Sequence, residues 1–249
     1  MDNKDLQARY NRMHSQGVSA WFDDGQEERE TIVNMGNPWD QLRVLEIGCG
    51  EGTLGLRISE KKADYLGIDY SKEAILKAEK IDSALFTYGH YRTGGFGYFD
   101  RLVMQGVLEH LDDPFAELRW MIDNLLLEGG DIITSSPCFV NPRGIVWMTL
   151  DMLGAVMSKT DLHFLHLWDF WGFAMKYGYH IETQYCNDSW GNDKRMIEDF
   201  LQRIPLATRD GNLPHLQPGK LNSFLLWLQQ ISDFDIKGYG ATAIYKIQT

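Results

Sequence analysis

The sequence predicts an α/β fold with a largely parallel sheet, and two strand-like runs early in the chain carry this prediction. Residues 44–47 favour a strand and lead directly into the turn Gly48-Cys49-Gly50-Glu51-Gly52, after which a helical segment begins. A second apolar run, residues 65–68, ends at Asp69. A buried strand, a tight glycine turn and a helix start form the opening unit of nucleotide-binding α/β folds. We therefore expect the turn and Asp69 to meet at one edge of the sheet.

Two ligands fit this turn. The spacing Gly50-x-Gly52-x-x-Gly55, with Asp69 near the expected offset, fits a dinucleotide such as NAD. Glu46, however, would repel a pyrophosphate and suits a cation, such as the ammonium group of a methionine moiety. We therefore favour S-adenosylmethionine (SAM) over NAD, with Asp69 accepting hydrogen bonds from the ribose. A glycine turn without a ligand is the third interpretation.

Three segments together resemble a known family. Residues 44–52, 67–71 and 105–111 are similar to the first, second and fourth motifs of class I SAM-dependent methyltransferases, in particular the ubiquinone-biosynthesis-type O-methyltransferases. The resemblance is good over residues 40–137 and only topological elsewhere. It implies a Rossmann-like seven-stranded, mostly parallel sheet with an antiparallel last strand and helices on both faces. It also implies SAM as cofactor, S-adenosylhomocysteine (SAH) as product, and a helical lid formed by the N-terminal segment and a late insertion.

Composition narrows the class of protein. The 249 residues suit one large domain, residues 1–249, and the net charge of −11 argues against nucleic acid as a partner. The three cysteines (Cys49, Cys138 and Cys186) are scattered and suggest no disulfide framework. The first residues lack an apolar signal region, and no apolar stretch is long enough to span a bilayer. We expect a cytoplasmic protein.

The N-terminal residues 1–36 form a predicted helical cover, with a helix over residues 26–35. The resemblance implies that this segment folds over the cofactor. Aromatic faces attract a sulfonium cation, although simple packing is the alternative for each candidate. The candidates for the cover are Tyr10, His14 and Trp21.

The SAM-binding core is predicted over residues 40–137. Helices are expected over residues 53–61 and 72–80, the second capped by Ser71, and strands over residues 84–88 and 99–104. In the resembled family an acidic residue often accepts a hydrogen bond from the adenine amino group after the third strand. His90 stands there instead, so the adenine contact could come from His90, a backbone carbonyl or a water.

Helix-capping and helix-breaking residues predict several boundaries in the second half of the core and beyond it. Asp113 should cap a helix that begins at Pro114 and ends before Glu128-Gly129-Gly130. The remaining predicted elements are a strand over residues 131–135, a helix over 168–177, strands over 180–186 and 241–247, and helical stretches over 196–204 and 224–231. Prolines at 205, 214 and 218 should break the link between those two stretches.

Two insertions, residues 138–170 and 188–236, are expected on the acceptor side. The late one could instead form a homodimer contact. Residues 188–236 separate two predicted strands that a hairpin of only a few residues could connect. This extra length predicts that the segment covers the acceptor.

The candidate chemistry is methyl transfer to a small-molecule acceptor, with a hydroxyl oxygen favoured. A base helps a hydroxyl to react, and the candidates are His163, where the resembled family has a histidine, and His110, at the fourth strand's edge. His163 and His166 lack a recognisable third metal ligand, so no metal site is predicted. An NAD-dependent oxidoreductase and a non-catalytic SAM-binding protein remain the alternatives.

The residues assigned to cofactor binding lie in the turn, at strand ends and in the N-terminal cover. They are Glu46, Gly48, Cys49, Gly50, Gly52, Asp69, Tyr70, His90, Tyr91, Gln105, Gly106, Val107, Tyr10, His14 and Trp21.

Overall fold

A computed structural model describes residues 7–8, 11, 25–82, 85–139, 141–158, 160–186, 194–214, 216–231 and 242–249. Seven strands form one sheet. They are β1 (Arg43–Ile47), β2 (Asp64–Asp69), β3 (Phe86–Tyr88), β4 (Phe99–Gln105), β5 (Leu126–Pro137), β6 (His180–Cys186) and β7 (Thr242–Gln248). Their order is β3-β2-β1-β4-β5-β7-β6. β7 is antiparallel to both of its neighbours, and the β1–β5 pairings are parallel. The predicted mostly parallel sheet with an antiparallel last strand is confirmed.

Eight helices of four residues or more have described bounds, and a short 3-10 turn, Leu108–His110, follows β4. The helices are α1 (Gln26–Met35), α2 (Thr53–Ser59), α3 (Lys72–Asp82), α4 (Pro114–Leu125), α5 (Pro142–Met152), α6 (Leu167–Tyr177), α7 (Lys194–Asp210) and α8 (Pro218–Ile231). The predicted caps are present: Ser71 Oγ accepts from the Ala74 N–H at 3.3 Å, and Asp113 Oδ1 accepts from the Ala116 N–H at 3.1 Å. Local sequence therefore sets where α3 and α4 begin.

The sheet is covered on both faces because neighbouring residues of each central strand point to opposite sides. On one face Leu45, Leu102 and Ile132 pack with α4 and α6. On the other face the preceding or following residues (Val44, Val103 and Ile133) pack with α1, α2 and α3. A third apolar cluster belongs to α5, α7 and α8 rather than to the sheet.

The amino end of β4 is tied to the chain that leaves α1. The guanidinium of Arg101 lies 4.5 Å from the ring centroid of Trp39, and it donates to Asp131 and to the carbonyl of Gly36. Lys246 Nζ donates to the carbonyl of Met35 at 3.0 Å. The carboxyl end of α1 is thereby fixed at this end of the sheet, which leaves its amino end to reach the opposite edge.

Two predicted boundaries are wrong at α4 and β5. The helix ends at Leu125 and β5 begins at Leu126, five residues before the predicted start, because Leu126 already pairs with Phe99 of β4. The glycines at 129 and 130 lie within this irregular start of the strand, where the register shifts. The third strand is also shorter than predicted and spans Phe86–Tyr88.

The predicted break at Pro205 is wrong as well, because Pro205 lies inside α7. A proline removes one helical hydrogen bond and strains the preceding turn. The apolar stripe of α7, which includes Phe200 and Ile204, is fully buried in the third cluster, and this burial offsets that cost.

Candidate cofactor and acceptor site

The glycine turn after β1 leaves open space at one position. A Cβ at Gly48 would lie 2.7 Å from Val107, and one at Gly52 would lie 2.6 Å from Phe86, so these two glycines permit close packing. A Cβ at Gly50 would meet no atom of the described residues within 4 Å, although φ there is +55°. Gly50 is therefore the position at which a ligand can approach the backbone of the turn.

Asp69 joins the turn to the end of β2. Its Oδ2 accepts from the Gly50 N–H at 2.9 Å, and its Oδ1 accepts from the Ser71 N–H at 2.6 Å. The side chain is buried at 8% exposure. A carboxylate at this strand end suits the hydroxyl groups of a ribose, because carboxylate oxygens accept hydrogen bonds from hydroxyl donors. The turn and Asp69 meet at one sheet edge, as expected.

Glu46 is buried beneath the turn. Its Oε2 accepts a hydrogen bond from Tyr65 Oη at 2.5 Å, and its exposure is 1%. Burial raises the pKa of Glu46 to about 8; the Asp69 carboxylate adds to the rise, and the Tyr65 hydrogen bond and Arg29 oppose it. Glu46 is therefore mostly protonated at neutral pH, so an ammonium group that pairs with it must displace a proton.

Tyr65 is a residue that sequence reasoning missed. A Cβ at Gly55 of α2 would lie 2.2 Å from its hydroxyl oxygen, and one at Gly67 of β2 would lie 2.5 Å from it. Only glycine leaves room for this tyrosine at both positions. Cys49 lies in the same buried region, where burial and the nearby Glu46 raise the pKa of its thiol.

The residues after β3 form a stacked pair. The rings of His90 and Tyr91 are stacked with centroids 4.4 Å apart, and the Tyr91 hydroxyl donates to Glu117 at 2.6 Å. His90 Nδ1 accepts from the Arg92 N–H at 3.2 Å, and burial lowers the pKa of His90. The neutral ring therefore presents an Nε2–H donor. It can donate to a ring nitrogen but cannot replace a carboxylate as acceptor for an amino group.

Part of the N-terminal segment reaches this edge of the sheet. Gln7 Nε2 donates to the carbonyl of Tyr70 at 2.5 Å, and Ser71 Oγ donates to Asn11 Oδ1 at 2.7 Å. Sequence reasoning missed Gln7 and Asn11, which lack an aromatic signal. The predicted cover residues lie outside the described part of the chain: Tyr10, His14 and Trp21.

The end of β4 meets the first turn of α1. Gln105 Nε2 donates to Glu28 Oε2 at 2.8 Å. Gly106 has a φ of +62°, and its N–H donates to Ser135 Oγ at 3.2 Å. Val107 contacts the glycine turn at Gly48, so the predicted residues of β1 and β4 come together.

The two histidine candidates lie at the junction with the first insertion. His110 Nδ1 lies 3.1 Å from the carbonyl of Thr160 and 3.4 Å from Asp161 Oδ1. Burial lowers the pKa of His110, against the opposing effects of Asp161 and backbone hydrogen bonds. His163 Nε2 lies 3.2 Å from the carbonyl of Asp112, at the end of the same turn. His110 thus braces the junction, and His163 lies beside the same turn.

Glu109 is the other residue of this junction that sequence reasoning missed. Its backbone carbonyl accepts from the Leu162 and His163 N–H groups at 2.8 and 3.2 Å, and its side chain is 3% exposed. Burial, reinforced by Asp161, raises its pKa well above the ordinary value. The available signal was an acidic residue between Leu108 and His110 in the motif of residues 105–111.

The described residues contain neither a metal-ligand cluster nor a membrane-spanning helix. No cluster of three or more histidine, cysteine, aspartate or glutamate side chains is arranged to hold a metal ion there. None of the helices in the same part of the chain has both the length and the apolar character needed to cross a membrane.

Comparison with known proteins agrees with the motifs. Residues 45–132 match the family model described as a methyltransferase domain. This match covers β1 to the first half of β5, including the glycine turn, Asp69 and Glu109. The resemblance to SAM-dependent methyltransferases that the motifs indicated is confirmed for this segment.

Curated relatives match over a similar length. The chain is 32% identical over 114 residues to the ubiquinone biosynthesis O-methyltransferase of Dinoroseobacter shibae, which covers 43% of this chain and 45% of the relative. For the enzyme of the same name from Escherichia coli, the identity is 26% over 114 residues, covering 43% and 46%. The match thus spans less than half the length of these relatives.

Solved structures extend the likeness in fold to the whole chain. The magnesium protoporphyrin IX methyltransferase of Synechocystis with bound SAH superposes with a TM-score of 0.64 at 13% identity, covering 99% of both chains. A SAM-dependent methyltransferase from Thermotoga maritima gives a TM-score of 0.63 at 14% identity, covering 98% of this chain and 99% of the other. At these identities the likeness shows the fold alone, which is the Rossmann-like methyltransferase fold.

Proposed function

We propose that this chain is a methyltransferase that binds SAM and transfers its methyl group to a small-molecule acceptor, with SAH as the product. The observation that carries the proposal is the junction of Gly50 and Asp69. Among the described residues, open space lies over Gly50, and the Asp69 carboxylate, an acceptor suited to ribose hydroxyls, accepts from the Gly50 N–H at 2.9 Å. The family match over residues 45–132 contains this junction and supports the proposal.

Three residues at this edge of the sheet are assigned to different parts of the cofactor. Asp69 accepts from the ribose hydroxyls, and His90 donates from Nε2 to the adenine ring. Glu46 takes the ammonium group after it loses its proton. When bound, SAM supplies a methyl group on a sulfonium, which is electrophilic.

The acceptor atom in this proposal is a hydroxyl oxygen. The curated relatives, at 26% and 32% identity, are O-methyltransferases and support oxygen as the target. The chain must align this oxygen, exclude water and remove its proton. His163 is the proposed base, because it hydrogen-bonds the backbone of the turn that follows β4 and lies on the insertion assigned to the acceptor. His110 is a brace that positions this insertion.

Calorimetry with SAM, SAH and NADH tests the cofactor assignment. We expect SAM and SAH to bind, and we expect Asp69→Ala and Gly50→Val to abolish binding. Gly129→Val is a matched control, since Gly129 also has a positive φ and no described residue within 4 Å of an added Cβ, but it lies at the start of β5 away from the turn. Binding of NADH without SAM would end the proposal. Micromolar SAM affinity in both site variants would contradict the residue assignment.

Methyl transfer is tested separately by SAH release with a panel of hydroxyl-bearing metabolites. Full SAM affinity with no transfer to any of them would favour a non-catalytic SAM-binding protein.

A further inference from the structure

The side chain of Glu109 lies between the cofactor edge and the acceptor insertion. Its Oε1 is 3.5 Å from the position that a Cβ on Gly106 would occupy, at the end of β4. Its backbone carbonyl holds Leu162 and His163 of the insertion. A group bound at this carboxyl would therefore be within the region where cofactor and acceptor residues meet.

One oxygen of this carboxyl has no hydrogen-bond partner within the described part of the chain. Glu109 Oε2 is fully buried, in a side chain that is 97% buried overall, and it accepts from no donor among the residues that the structure describes. A buried carboxyl oxygen left without a donor costs on the order of 1–3 kcal/mol. A buried polar group that the protein leaves unpaired calls for an explanation, such as a functional role or a bound group that supplies the donor.

The charges around Glu109 indicate which donor fits. Asp161 and Glu28 both act on Glu109 as like charges and raise its pKa. The neighbouring His110 lies 3.4 Å from Asp161, and burial lowers its pKa, so it does not supply a positive charge at neutral pH. A cationic ligand group would relieve the repulsion among the three carboxyls and would supply donors to Oε2.

We propose that Glu109 binds a protonated amine of the acceptor, so that the acceptor is a small hydroxyl compound that also carries a basic nitrogen. This inference rests on the proposed function and specifies its substrate class. Glu109 holds the amine, and the hydroxyl is directed to the methyl donor.

The proton balance follows from the state of the carboxyl. An amine that arrives as the free base takes the proton from Glu109 to give an ammonium–carboxylate pair. An amine that arrives already protonated displaces the Glu109 proton to solvent and gives the same pair. No oxidant or other reactant is needed in either route.

A matched pair of probes tests this inference in the SAH complex of the full chain. Tyramine and 4-propylphenol are phenols of similar size. Tyramine carries an ammonium group at the end of its side chain, where 4-propylphenol carries a methyl group. Ethanolamine and 1-propanol provide the same comparison for a smaller pocket. We expect calorimetry to give at least about tenfold tighter binding for the amine of one pair. No amine preference in either pair, or no amine binding at all, overturns the inference.

The variant Glu109→Gln keeps the shape of the side chain and removes its charge. We expect its amine preference to fall to near unity while SAH affinity stays within about twofold of the wild type. Glu128→Gln, an exposed residue at the opposite end of β5, is the matched control and should leave the preference unchanged. An amine preference that persists in Glu109→Gln also overturns the inference.

The two levels of proposal fail in different ways. Loss of SAH and SAM binding in the wild type would refute the proposed function. Normal SAM binding and methyl transfer to phenols without an amine preference would refute only the role of Glu109. If Glu109→Gln does not fold, the comparison of the two probe pairs in the wild type still decides.

Discussion

Replacing Glu46 with glutamine should stabilise the folded chain at alkaline pH and weaken cofactor binding at the same time. Glutamine keeps the shape of the side chain and can still accept from Tyr65, but it cannot ionise. The buried carboxyl has a pKa raised to about 8, whereas its ordinary value is 4.5. The folded state therefore holds a proton at Glu46 over a pH range in which the unfolded state has lost it.

The size of the effect follows from this shift. At about 1.36 kcal/mol for each pKa unit, a rise from 4.5 to about 8 corresponds to about 5 kcal/mol. About 3.5 kcal/mol of this develops between pH 5 and pH 8. Because the pKa is raised, the contribution is favourable at low pH and is lost as the pH rises. Relative to Glu46→Gln, the wild type should therefore lose about 3.5 kcal/mol of unfolding free energy over that range.

Urea denaturation of both proteins at pH 5, 6, 7 and 8 measures this difference. Other titrating groups are common to the two proteins, so they cancel when the unfolding free energies are subtracted. Glu128→Gln is the control for loss of an exposed carboxylate. A difference between Glu46→Gln and the wild type that does not change with pH would refute the buried, protonated state of Glu46.

Cofactor binding gives the second readout. If the ammonium group pairs with Glu46, SAH binding at pH 7 should release about 0.9 proton from this site. Calorimetry in buffers of different ionisation enthalpy counts these protons. Glu46→Gln should release none from this site and should bind SAH at least about tenfold more weakly. Unchanged SAH affinity in the variant would show that Glu46 does not contact the ammonium group.

Three further variants test separate parts of the structure. Gly55→Ala places a Cβ 2.2 Å from the Tyr65 hydroxyl and should lower the unfolding free energy by about 1–3 kcal/mol. Gly172→Ala is the control in α6, where an added Cβ meets no described residue within 4 Å, and it should raise the unfolding free energy by about 0.5–1 kcal/mol. Equal effects in urea denaturation would contradict the close approach at Gly55. His163→Ala should lower turnover of a hydroxyl acceptor and leave SAM affinity unchanged; normal turnover would remove it as the base. His90→Ala should weaken SAH binding about fivefold by removing one donor, and unchanged affinity in calorimetry would place the ring outside the adenine site.

Sequence patterns predicted the elements that local chemistry determines. The bounds of α1 and β6 agree with the prediction, and the caps of α3 and α4 hold because one side chain beside the first turn decides them. Pro205 shows the limit of local reasoning, since its preference against a helix interior is outweighed by burial of the apolar stripe of α7 against α8. That burial depends on α8, which begins more than ten residues after Pro205 in the sequence.

The same limit applies to the candidate site. The meeting of the glycine turn with Asp69 could be predicted, because the parallel strands β1 and β2 end at a common edge of the sheet. The Tyr65 hydroxyl that meets Glu46 could not be predicted, since it depends on the space left by glycines on two different elements. The sequence motif favours His110 over Glu109 as a candidate site residue. The structure identifies Glu109, because its Oε2 is buried without a donor among the described residues.

The separate apolar cluster of α5, α7 and α8 has an evolutionary consequence. Its buried residues, such as Trp147, Phe200 and Leu225, contact one another rather than the strands, and all lie beyond residue 132, where the family match ends. Substitutions that reshape this cluster change side chains that are not part of the matched segment. Under the proposed function, a change of acceptor can therefore arise in this cluster while the residues assigned to the methyl donor stay the same.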